Sequence, residues 1–196
     1  MGNVIAAAAV SLDGFVADTG DAVGPLFDWY NNGPVEVYGT DQGRPFKVSR
    51  ASADYMNATW PKIGACVIGR HLFDLTNGWH GVPAVGEHVF VVTHTPPTGW
   101  PFPDAPFTFV SGIEEAITQA RAFAGDRDVS VTGGNLTGQA LTAGLVDEIA
   151  YNVVPVVFGT GVRFFGDYAG GQVLLDDPTV VQGDRVTHLH YRVKAG

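Results

Sequence analysis

The chain has 196 residues, a size at which one domain with a sizeable core is expected. Its 45% hydrophobic and 16% charged content excludes a disordered chain. A formal net charge of −9 without any cluster of lysine or arginine excludes nucleic acid and an anionic membrane surface as the main partner, although one or two well-placed cations can still hold a small phosphorylated ligand.

In chain order, residues 3–10 ("NVIAAAAV") predict a buried strand, and "SLDG" predicts a tight turn. No basic segment precedes that apolar run and no stretch reaches the ~20 apolar residues of a membrane span, so a cytoplasmic, soluble protein is expected. Residues 18–50 are rich in Gly, Pro, Asn and Asp and read as a long insert, with "FDWY" as a short helix or strand within it. Ser49 or Ser52 caps a short helix running through Ala58. "ACVIG" then reads as a buried strand carrying the only cysteine, Cys66, as a structural thiol.

"RHLFDLTNGW" predicts a short helix ended by Asn77–Gly78, and "HVFVVT" and "FTFV" predict two more strands. In "SGIEEAITQARAFAG", Ser111 and Glu114 have capping-box spacing, and Ile113, Ala116, Ile117, Ala120 and Ala124 form an apolar face. "DVSVTGGNLTGQAL" passes from strand to helix across two glycines. After it come "DEIAYNVVPVVF", "QVLLD" and "RVTHLHYRV", all read as strands. His188 and His190 have metal-like spacing, but no further Cys or His accompanies them; they are expected on an exposed strand face, and no metal is expected. Alternating strands and helices followed by consecutive strands predict an α/β fold with a mostly parallel sheet and an antiparallel C-terminal edge.

Three strand ends carry groups suited to phosphate. Gly69, Arg70 and His71 stand where a strand meets a helix, Thr93 and His94 end another strand, and Gly133, Gly134, Asn135 and Leu136 open a further helix. Each alone reads more readily as a surface arginine at a helix start, an ordinary strand exit or a packing turn. In a parallel sheet all three fall on one edge, where α/β folds bind ligands. No G-x-G-x-x-G follows the first strand, so a dinucleotide site of another design is expected.

The ordered set "VSLDGFVA", "CVIGRHLFD", "FVVTHTPP", "VTGGNLTGQAL" and "VPVVFGTGVRFF" resembles the dihydrofolate reductase-like superfamily, closest to the branch of riboflavin-biosynthesis reductase domains. The resemblance runs from about residue 3 to residue 193 and implies one domain over 1–196, homodimerisation, NADPH as cofactor and hydride transfer to a pyrimidine- or pterin-like heterocycle. It implies that Arg70 meets the 2′-phosphate and that His71, Gly133, Gly134, Asn135 and Leu136 meet the pyrophosphate. Thr93 and His94 then border the adenine ribose. Ala9 and Ser11 lie against the nicotinamide, in a segment through Phe15 that acts as a mobile flap.

Two acids are candidates for proton management: Asp54, in the helix before "GR", and Asp13, in the "LDG" turn. Each has a plain alternative, a solvated helix carboxylate and a turn residue. Arg44, Lys47, Arg50 and Arg163 are candidates for a substrate phosphate. Phe27, Trp29, Tyr30, Tyr38 and Phe46 either stack on a ring or form a satellite core or subunit contact. A dimer contact is expected through the apolar strand "AYNVVPVVF". A non-catalytic protein that binds NADPH or another ligand is the alternative to a reductase.

Overall fold

The computed structural model describes residues 1–194. The N-terminal part contains β1 (Val4–Ser11), β2 (Phe15–Ala17), β3 (Val35–Val37), β4 (Phe46–Val48), α1 (Arg50–Thr59), β5 (Ile63–Gly69) and α2 (Arg70–Thr76). Then follow β6 (His88–Val92), β7 (Phe107–Val110), α3 (Ile113–Ala124), β8 (Asp128–Thr132) and α4 (Asn135–Thr142). The chain continues through β9 (Glu148–Val154), β10 (Val162–Arg163), β11 (Thr179–Gln182) and β12 (Thr187–Arg192).

Eight strands form one sheet in the order β11-β12-β9-β1-β8-β5-β6-β7. From β9 to β7 all neighbours are parallel, and β12 and β11 add the antiparallel edge. The fold is therefore α/β with the mixed sheet that the order of elements implied. Because β1, β5, β6 and β8 run the same way, their carboxyl ends share one edge.

One face of the sheet is closed by α3 and α4, whose Ile113, Ile117, Leu136 and Ala140 pack on Val4, Ala6, Val67 and Val131. The other face is covered in two separate patches. Leu26, Trp29, Val37, Val48 and Met56 form a satellite core of the insert and α1, while Phe73 with Trp79 and Trp100 covers Ile68 and Val91. The gap between those patches is the cavity described below.

Several local expectations change. The N-cap of α3 is Gly112 in extended conformation, without a side-chain cap; Ser111 Oγ instead turns to Glu115, 3.4 Å away. The helix thus starts one residue too late for the capping box. "QVLLD" contributes only a bridge from Leu175 to Val193, and the edge strand is β11, hairpinned to β12. β9 ends at Val154 because Pro155 has no N–H for the ladder. Its flanks are already paired with β1 and β12, so it is not free to extend a sheet into a second subunit.

Candidate active site

A cavity of about 1230 Å³ opens between α1 and α2 on the carboxyl-end side of the sheet. That exceeds the roughly 300–1,000 Å³ of most single-ligand pockets, and suits a long ligand with a second molecule beside it. Its floor is made of small side chains: Ala7 and Ala9 of β1, Ser130 of β8 and Ala150 of β9. The alanine run of β1 therefore does more than fill a strand, since larger side chains at Ala7 and Ala9 would occupy the space.

Around the carboxyl ends of β5, β6, β7 and β8 the site is a ring of backbone turns with two arginines. Gly69, Arg70, His71, Thr93, His94, Ser111, Gly112, Gly133, Gly134, Asn135, Leu136 and Arg163 all line it. An added Cβ at Gly69 or Gly112 would meet nothing within 4 Å, so open space lies over both turns. The first amides of α3 and the amides of Asn135 and Leu136 have no partner among the described residues. Such groups carry partial positive charge and accept an anion well. The α3 N-terminus was not singled out in the sequence, because an apparent capping box hid it.

The two glycines after β8 have reasons of their own. Gly134 has φ 98°, and its amide donates to the Phe164 carbonyl at 2.8 Å, so it is not available to a phosphate. A Cβ on Gly133 would stand 3.1 Å from Val16 and 3.2 Å from Phe164. The turn needs glycines for conformation and packing, and the free donors are the two residues that follow.

Arg70 is partly committed. Its Nε donates to both oxygens of Asp74, at 2.8 and 2.9 Å, and Nη1 donates to the Thr95 carbonyl, leaving Nη2 without a partner among the described residues. Thr93 Oγ1 also donates to Thr95 O, at 3.0 Å, which fixes the loop after β6. His71 Nε2 pairs with Asp21 Oδ1 at 2.9 Å and joins α2 to the insert. His94 is exposed at the rim.

Three expected site residues lie elsewhere. Ser11 is fully buried and outside the cavity lining; its Oγ donates to Asp13 at 2.6 Å and accepts from the Phe15 amide at 2.9 Å. Asp13 accepts from the Phe158 and Gly159 amides at 3.1 and 2.7 Å. The Ser11 hydroxyl and those amides hold its carboxyl down at about 2. With the Leu12 amide on Val156 O at 2.8 Å, these bonds fasten the Ala9–Phe15 turn to the segment 156–159. Only Ala9 of that segment is at the cavity floor. Asp54 points to solvent from the outer side of α1 and does not line the cavity. A helix turns about 100° per residue, and the neighbour that faces inward is Tyr55.

The β9–β12 end is aromatic. Tyr55 and Trp60 line it from α1 and the turn after it, and Phe27, Tyr30 and Phe46 line it from the insert. Burial pushes the Tyr55 hydroxyl up to about 12. Tyr38 and Trp29 do not reach the cavity, nor do Arg44, Lys47 and Arg50. Arg44 pairs with Asp41, and Lys47 with Glu36. Cys66 lies on the floor, its thiol donating to Val85 O and pushed by burial up to about 12, so it is not a nucleophile.

The two histidines of β12 sit on the covered face of the sheet, not an exposed one. His188 is 1% exposed, and His190 lines the cavity with Nε2 2.7 Å from Glu148. Asn152 of β9, opposite His188, also lines the cavity. Strand alternation alone put His188 and His190 on one face; which face is covered depends on α1 and the insert. Among the described residues, no group of three or more His, Cys, Asp or Glu is placed to hold a metal, and no helix is long and apolar enough to cross a membrane.

No family model and no curated protein matches the chain. Solved structures do. A Shewanella sp. PV-4 protein provisionally named for riboflavin biosynthesis superposes over the whole of both chains, with a TM-score of 0.70 and 24% identity. A pyrimidine reductase-like protein from Corynebacterium diphtheriae superposes over 100% of this chain and 93% of its own, with a TM-score of 0.62 and 12% identity. The Thermotoga maritima diaminohydroxyphosphoribosylaminopyrimidine deaminase/5-amino-6-(5-phosphoribosylamino)uracil reductase gives a TM-score of 0.61 at 14% identity; the chain spans 57% of that longer protein. The fold is the dihydrofolate reductase-like fold shared by these structures.

Proposed function

We propose that this protein is an NADPH-dependent reductase that delivers hydride to a small planar heterocycle of pyrimidine or pterin type. One observation carries the reading: free helix-start amides and Arg70 converge at one end of a cavity whose other end is aromatic. The names of the structural neighbours, among them a pyrimidine reductase-like protein, support it.

The residues present fit such a cofactor. The open space over Gly69 and Gly112 and the unpartnered amides of Asn135 and Leu136 are suited to the pyrophosphate, with Arg70 Nη2 and His94 suited to the adenosine end. When bound, the nicotinamide supplies the hydride. The chain holds the two rings over the alanine floor, excludes water with the aromatic wall, and manages the proton. At the aromatic end, the groups able to hold or pass a proton are His190, backed by Glu148, and the Tyr55 hydroxyl.

Calorimetric titration with NADPH and with NADH tests the cofactor. Binding that is tight for NADPH and much weaker for NADH supports it, and binding of neither removes it. Oxidation of NADPH in the presence of pyrimidines or pterins separates a reductase from a protein that only binds. The second reading has one observation in its favour: Asp54, the acid expected at the substrate, lies outside the cavity. Homodimerisation belongs to the same proposal, with Leu174 and Val180 as exposed apolar groups near the β11 edge, and sedimentation gives the oligomeric state.

A further inference from the structure

A directed chain of hydrogen bonds ends in the aromatic half of the cavity. It begins at Ser49, whose Oγ accepts from the Ser52 and Asp184 amides, each at 3.3 Å. Its own proton is therefore free for Ser52 Oγ, 3.2 Å away. Ser52 Oγ, having accepted, gives its proton to His188 Nε2 at 2.9 Å. An imidazole that accepts at Nε2 and is neutral carries its proton on Nδ1, and Nδ1 lies 2.7 Å from Asn152 Oδ1. Burial favours that neutral form, holding His188 at about 4.

The far end fixes the same direction independently. The Asn152 amide has one atom 3.2 Å from the Ala8 carbonyl. A carbonyl only accepts, so that atom is Nδ2 and the oxygen must face His188. Reversing the chain would set two acceptors against each other at Ala8. Nδ2 has two hydrogens, and only one is used by the described residues. Asn152 lines the cavity, between Ala9, its register partner on β1, and the His188 that Tyr55 covers.

We propose that Asn152 is the specificity-determining residue of the substrate half, offering its spare Nδ2–H to uncharged planar rings that carry a carbonyl or an unprotonated nitrogen on their edge. Ser52 and His188 are positioning residues that hold the amide in this sense. The proposal deepens the reductase reading and rests on it for treating the aromatic half as the substrate half. Asn152 is backed by an uncharged chain, the neighbouring His190 is already paired with Glu148, and the arginines that line the cavity, Arg70 at the start of α2 and Arg163 in β10, belong to other elements than β9 and β12. An uncharged ring is the ligand that this end matches.

The test uses the full chain and two probes of one outline: carbostyril, a planar bicycle with one ring carbonyl, and naphthalene, which has none. Tryptophan fluorescence reports binding of each. The wild type is expected to prefer carbostyril by about tenfold beyond the difference in their partition from water, the worth of one hydrogen bond to a buried partner. Asn152→Ala, and Asn152→Leu, which keeps the bulk, abolish that preference and leave naphthalene affinity within about twofold. His188→Phe reduces the preference without changing naphthalene binding, which a purely structural role would not do.

Absence of the preference in the wild type overturns the proposal whatever the variants do, as does an equal loss for both probes in Asn152→Leu. NADPH affinity, measured separately by calorimetry, tells the two readings apart. A retained preference without NADPH binding sinks the reductase and spares the donor; NADPH binding without the preference does the reverse.

Discussion

The Tyr55 ring lies stacked on the His188 imidazole, centroids 4.4 Å apart and planes inclined by 18°. Trp29 meets the same imidazole edge-on at 5.2 Å, so the histidine is enclosed by α1, the insert and β9. This one side chain ties the aromatic end of the cavity to the C-terminal hairpin. Its protonation is therefore coupled to the stability of the whole.

The sign follows from burial. His188 is held at about 4 against an ordinary 6.5, so in the interval between, the unfolded chain takes up a proton that the folded chain refuses. Stability is expected to be full above the ordinary value and to fall by up to about 3 kcal/mol as pH drops toward 4, the product of that shift and the free energy of one pKa unit. Denaturant titrations across this window check it. His188→Phe should flatten the curve there, and an unchanged slope in that variant would remove His188 as its source.

Arg70→Ala is expected to weaken NADPH binding roughly ten- to a hundredfold while NADH binding changes little, as expected for loss of a charge-assisted contact to the extra phosphate. Stability should fall by less than about 1 kcal/mol, because the Arg70–Asp74 pair is largely solvated. Calorimetry with both nucleotides reads the ratio. Equal losses for the two would mean that Arg70 acts through the Thr95 loop instead.

Two glycine substitutions separate folding from binding. Gly138→Ala would place a Cβ 2.3 Å from the Phe165 carbonyl, a backbone atom, and is expected to destabilise by about 1–3 kcal/mol. Gly112→Ala meets nothing within 4 Å and should leave the melting temperature within a degree or two of wild type. Its methyl group lies on the cavity wall, so nucleotide affinity should drop. Normal affinity in Gly112→Ala would detach the α3 N-terminus from the site.

Asp13→Ala removes the acceptor for the Phe158 and Gly159 amides. Faster hydrogen exchange at those two amides, and a looser Ala9–Phe15 turn, are the expected outcomes. With its carboxyl held at about 2 rather than 3.8, Asp13 contributes to stability above the ordinary value and loses that contribution as pH falls through the lower one. Unchanged exchange would show that the turn holds without it.

Much of this was present in the order of residues. The 3.6-residue spacing of Ile113, Ala116, Ile117, Ala120 and Ala124 predicted α3, and strand-forming runs ending at Gly69, Thr93 and Gly133 placed the phosphate-suited groups on one sheet edge. Periodicity and turn chemistry act over a few residues, so one chain segment suffices to read them. The end of the cavity lined by these turns is built of such segments, since each turn follows its own strand directly.

The aromatic end is built differently. Asn152 is joined to Ala8 and His188, and Ser52 reaches across to β12, so the partners are 144, 36 and 136 residues apart. Local pattern could assign His188 to a strand face but not say that α1 and the insert bury that face. It likewise left open whether Asp54 or Tyr55 turns inward, and whether Asp13 meets a ligand or the Phe158 amide. The sequence by itself determined the main helices and the strands of the parallel sheet, their α/β order and the phosphate-suited turns. Tertiary structure alone decided the cavity floor, the buried hydrogen-bond chain and the face of α1 that matters, because burial and hydrogen-bond partnership depend on contacts between distant segments.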